Sequence, residues 1–157
     1  MDGETVDIIA APPGHTGGDT IVLFEKADVM MIGDFYRNYG YPFVDAAHGG
    51  SFEGMLAAIG LVQKMAGPKT KLVPGHGGII ARDDLDAYRV MIQSISAQVE
   101  AMVAEGRTLD QVLAAKLTAP YDDKVRGGLD PLPAGLGTSA DRFVGALYRE
   151  IKQRGVS

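Results

Sequence analysis

Three histidines make up the whole imidazole complement of this 157-residue chain, and two of them stand in similar surroundings. His15 lies in Pro12-Pro13-Gly14-His15-Thr16-Gly17-Gly18-Asp19, and His76 lies in Pro74-Gly75-His76-Gly77-Gly78. Each follows a short run rich in Val, Ile or Leu. Asp34 follows Val29-Met30-Met31-Ile32-Gly33 in the same way. If those runs are strands, three potential ligands emerge at strand ends, where α/β folds assemble their sites. Neutral imidazole and carboxylate suit a divalent ion such as Zn²⁺, with Fe or Mn as further choices. The chain has no cysteine, so thiolate ligation is excluded. Flanking glycines let backbone come close to an ion. Such an ion lowers the pKa of bound water to about 7 and polarises a carbonyl or phosphoryl oxygen.

Other residues admit two readings. His48, in Asp45-Ala46-Ala47-His48-Gly49-Gly50, reads as part of the loop entering the next helix rather than as a ligand. Asp19 either orients His15 by a hydrogen bond or terminates a turn. Tyr36, Arg37 and Tyr39 are exposed loop residues or line a substrate pocket. The glycine clusters resemble backbone anion nests, but neither is followed by Lys-Ser/Thr or opens directly onto a helix. The P-loop and dinucleotide patterns therefore fail.

The elements that must position these residues follow from apolar periodicity. Thr5–Ala10, Thr20–Glu25, Asp28–Ile32 and Lys71–Val73 read as strands, with a hairpin at Glu25-Lys26-Ala27. Phe52, Met55, Leu56, Ile59 and Val62 fall at helical spacing behind Ser51 as N-cap, and Gly67-Pro68 stops that helix. A long helix is predicted over Asp83–Glu105. Another begins at the Thr108/Gln111 capping box and runs to about Leu117, and a last one spans about Ser139–Arg154. Residues 119–138, rich in Pro and Gly, read as a long surface loop.

Gly14-His15-Thr16-x-Gly18-Asp19, then Gly33-Asp34, then Pro74-Gly75-His76-Gly77 resemble, in this order and with strands between, the third, fourth and fifth metal motifs of the metallo-β-lactamase superfamily. The resemblance covers about Thr5 to Ala81 and implies an α/β fold. That fold would be the C-terminal half of a metallo-β-lactamase-like αββα sandwich, with a mixed or antiparallel sheet, helices on one face and a helical tail. It implies that His15 binds one zinc, Asp34 bridges two and takes part in catalysis, and His76 binds the second. The implied activity is hydrolysis of an ester, thioester, amide or related bond in a small-molecule substrate. The sequence departs from the family in containing no His-x-His-x-Asp-His cluster. The other reading is therefore a non-catalytic domain acting as an oligomeric or split-enzyme subunit. Half a sandwich leaves one apolar sheet face unpaired, so a homodimer or a separate N-terminal half is the expected partner.

Composition limits the remaining classes. Hydrophobic residues form 46% and charged residues 22%, ordinary for a globular chain of one domain. A net charge of −5 and a pI near 5.1, without a Lys/Arg run, argue against nucleic acid and give no long-range attraction for acidic substrates. No run is apolar enough to span a bilayer, and Met1-Asp2-Gly3-Glu4 does not read as a signal peptide. A cytoplasmic protein without membrane contact is expected.

Overall fold

The computed structural model describes residues Gly3 to Gly155; Met1 and Asp2, part of the N-terminal reading, lie outside the described residues. The chain divides into two compact units. Residues up to Asn38 and Val44–Arg89 form the first, and Tyr39–Phe43 joins the residues from Val90 onward in the second. Among the described residues no helix is long and apolar enough to cross a membrane.

In the first unit, β1 (Val6–Ala10), β2 (Thr20–Phe24), β3 (Val29–Gly33) and β4 (Lys71–Pro74) form one mixed sheet in that order. β1 pairs with β2 and β2 with β3 antiparallel, while β3 and β4 run parallel. The β2–β3 hairpin turns on Asp28 in the left-handed region at φ 52, which short polar side chains tolerate best after glycine. A parallel pair needs a long connection, and α1 (Phe52–Met65) supplies it.

The pleat sends alternate residues to opposite faces. Ile21, Met30, Ile32 and Leu72 point to one face and are 0–1% exposed. With the buried stripe of α1, comprising Phe52, Met55, Ala58, Ile59 and Val62, they make the core of this unit. The opposite face is largely apolar and partly exposed. Ile8, Val22, Met31 and Val73 stand in register across all four strands, and Ile8 is 77% and Met31 45% exposed. In the next row Val6 pairs with Phe24, Phe24 with Val29 and Val29 with Lys71, so Val6 is again exposed and Lys71 puts one charge at the β4 edge.

The second unit is helical. It takes the later turns of α2 (Asp84–Ala104), then α3 (Leu109–Ala114), which packs on α4 (Ser139–Arg154). The connections into α3 and α4 both end in capping boxes, Thr108 with Gln111 and Thr138 with Asp141, each satisfying amides that the first helical turn leaves unpaired. α3 stops at Ala114 rather than near Leu117, because Lys116 turns the chain at φ 50. Residues 119–138 are only partly surface loop. Gly128 is buried, and Tyr41 stacks on Phe143 at 5.7 Å while its hydroxyl donates to Asp122 at 2.6 Å.

The start of α1 is fixed by its neighbours. Ser51 caps Gly54 N at 2.9 Å and donates through Oγ to the Pro13 carbonyl at 3.2 Å. A methyl group at position 54 would overlap that same carbonyl. Alanine ordinarily favours a helix over glycine by about 1 kcal/mol. Gly54→Ala should nevertheless destabilise the chain by at least about 1 kcal/mol through overpacking, measured as a lower denaturation midpoint; a raised midpoint would contradict this docking.

Candidate metal centre

β1 lies antiparallel to β2 and β2 antiparallel to β3, so β1, β3 and β4 all point the same way. The loops that follow them, carrying His15, Asp34 and His76, leave one edge of the sheet. β3 and β4 are adjacent, and their loops meet. Gly75 N donates to the Gly33 carbonyl at 2.8 Å, and His76 Nδ1 stands 2.8 Å from Asp34 Oδ1. A carboxylate oxygen accepts, so in the neutral ring this contact puts the proton on Nδ1 and the lone pair on Nε2. It is the arrangement by which carboxylates orient metal-binding imidazoles. Gly75 is required here, because a Cβ at this position would run into the Asp34 carboxylate. The imidazole is 71% exposed and the carboxylate 29%.

His15 does not complete a group of three. Among the described residues no three His, Asp or Glu side chains stand together as an ion's ligands. The loops themselves come close, since a Cβ on Gly14 would stand 3.2 Å from Phe35. The His15 loop is held by contacts of its own. The Asp19 carboxylate accepts from His15 N at 2.6 Å and from Thr16 N and Oγ1, both at 2.9 Å. Asp19 therefore holds the backbone of the loop. Ser51 N donates to the Gly14 carbonyl at 2.9 Å and Asp45 N to the His15 carbonyl at 2.8 Å. A zinc ion takes three or four protein donors. Asp34 and His76, whose facing atoms are engaged with each other, do not by themselves fit that requirement.

Two features escaped the sequence reading. Asp45 Oδ2 lies 2.7 Å from His48 Nδ1, and that hydrogen bond holds the Asp45 carboxyl below the usual carboxylate range. The i,i+3 spacing of these residues was the available signal. The His48 carbonyl accepts from Gly17 N at 2.8 Å, so the segment also braces the His15 loop. Asn38 Nδ2 donates to the Gly78 carbonyl at 3.0 Å and lies against Gly77 at φ 101, steadying the loop that carries His76. Tyr36 packs on Tyr88 with ring centroids 4.6 Å apart, and burial, followed by the Asp84 charge, raises its pKa. Tyr39, in the second unit, is tied to Asp130 by its hydroxyl.

Replacing Asp19 by Ala removes the acceptor for three donors. It should cost about 1–3 kcal/mol and speed amide exchange at His15 and Thr16 while leaving Gly75 protected. Unchanged exchange at Thr16 would contradict the role given to Asp19.

Neither a protein-family model nor a curated protein sequence matches this chain. Solved structures do. A metallo-beta-lactamase family protein from Thermus thermophilus superposes with a TM-score of 0.60 at 16% identity, over 98% of this chain and 46% of its own. A stereoselective inverting sec-alkylsulfatase from Pseudomonas sp. superposes with a TM-score of 0.68 at 14% identity, over 96% of this chain and 24% of its own. A metallo-beta-lactamase from Pontibacter korlensis aligns over 57% of this chain and 43% of its own, with a TM-score of 0.48 at 18% identity. The chain thus spans less than half the length of each of these three structures. Its mixed sheet, crossover helix and strand-end loops are part of the fold of the metallo-β-lactamase superfamily.

Proposed function

We propose that this chain is one part of a metal-dependent hydrolase, contributing His15, Asp34 and His76 to a zinc site that needs further ligands from a second polypeptide surface. The observation that carries this reading is the paired Asp34 and His76 on an edge that the His15 loop also leaves. The substrate class is an ester, thioester, amide or related bond in a small molecule. The non-catalytic reading, an oligomeric or split-enzyme subunit, shares the same requirement for a partner.

The partner is argued from the sheet. The row Ile8, Val22, Met31 and Val73 carries no charge and has no covering layer among the described residues. Apolar area removed from water contributes about 25 cal/mol per Å², and sheets pack face to face about 10 Å apart through such rows. The occupant proposed is the same face of a second copy, which would also add a second set of donors. A separate N-terminal half would compete for that face.

Sedimentation of the chain over a range of concentrations should give a monomer–dimer equilibrium. Ile8→Lys with Met31→Glu should abolish the dimer without lowering thermal stability. A monomer at every concentration contradicts the second-copy proposal. Equilibrium dialysis against zinc tests the site. The dimer should retain zinc more tightly than the Ile8→Lys/Met31→Glu monomer, and His76→Ala should remove most of it. Tight stoichiometric zinc on the monomer, unaffected by His76→Ala, overturns the reading, as does a dimer that holds no zinc.

A further inference from the structure

The helical side of the first unit carries a groove of about 600 Å³, within the range of small-molecule sites. Its walls are Leu56, Ala57 and Leu61 on α1, and Lys64, Arg82 and Arg89 are its charged members. Gln63 and Gly60 complete the lining. With Asp86 bonded to Gln63, three cations and one carboxylate stand at this trough, a local excess of positive charge in a chain that carries −5.

Both guanidinium groups are held in place through Gln63. Arg82 Nε donates to the Gln63 carbonyl at 2.9 Å, satisfying a carbonyl in the last turn of α1. Arg89 Nη1 donates to Gln63 Oε1 at 3.2 Å. Gln63 Nε2 in turn donates to Asp86 Oδ1 at 2.5 Å, which fixes the orientation of the amide between its two partners. Arg89 lies beside Gly60 on α1, where a methyl group would meet Nη1 at an ordinary contact distance of 3.6 Å. A guanidinium held on one edge loses less freedom when its remaining N–H groups bind an anion, and its fork matches a carboxylate. The long side chains also lay their methylene stems along the apolar wall.

We infer that this groove binds a small amphiphilic carboxylate, its head between Arg82, Arg89 and Lys64 and its short chain along Leu56, Ala57 and Leu61. The inference does not depend on the metal site, and its test uses no metal. Hexanoate is titrated into the ¹⁵N-labelled chain, with hexanol as the neutral control and hexylammonium as the cationic one. Hexanoate should give saturable shifts on the amides of α1 and of Arg82 and Arg89. Arg89→Gln should weaken it about tenfold, as expected for loss of one charge-assisted pair. Leu61→Glu, a half-buried wall position, should abolish it while leaving the rest of the spectrum in place. The site is read from Leu61→Glu and Lys64→Gln even if Arg82→Gln, which strips a cap from α1, fails to fold. Hexanol or hexylammonium binding as tightly as hexanoate overturns the proposal, as does hexanoate binding that Leu61→Glu leaves intact or the absence of saturable shifts.

Discussion

Hydrogen-bonded strand order decides what this chain can assemble. β3 and β4 are parallel neighbours, so their C-terminal ends lie side by side and the two loops leaving them touch. β1 shares that direction with β2 between it and β3, and the loop after it reaches the residue beyond Asp34, where a Cβ on Gly14 would stand 3.2 Å from Phe35. The ladder brings Asp34 to His76, and among the described residues no group of three closes around an ion. Glycine supports the arrangement from below, at Gly75 where a side chain would displace Asp34, and at Gly77 where Asn38 closes in.

The sheet also sets the partner problem. A pleated sheet with apolar residues on both faces needs two covers. α1 buries one face, and among the described residues of the first unit nothing buries the other. Ile8 and Met31 are the visible consequence, since such residues seldom face water in one contiguous row without function. The chain covers 46% of one structure that shares its fold.

Much of this was legible in the sequence, for identifiable reasons. Val/Ile-rich runs bounded by Gly, Pro and Asp marked four strands within a residue or two of their observed ends, because β-branched residues fit a half-buried pleat. Ser51 and the Thr108/Gln111 box marked helix starts because capping is local chemistry. The last helix spans Ser139–Arg154 as expected, and its cap is Thr138, a Thr-x-x-Asp box that the apolar periodicity alone does not resolve. What could not be read was non-local. No residue in Lys71–Pro74 says which strand it will join, so the meeting of His76 with Asp34 waited on the structure. Gly128 looked like loop surface because the ring that covers it, Tyr41, lies far away in sequence.

The geometry of the strand-end edge is tested most directly by the imidazole ¹⁵N resonances of His15 and His76 in the metal-free chain, compared before and after Asp34→Asn. Loss of the carboxylate acceptor should move the His76 ring nitrogens, through the exchange of its Nδ1-protonated tautomer, and leave those of His15 where they were. Displacement of both rings together would mean that the three side chains already share one cluster, and no displacement of His76 would mean that Asp34 does not hold it; either result contradicts the account.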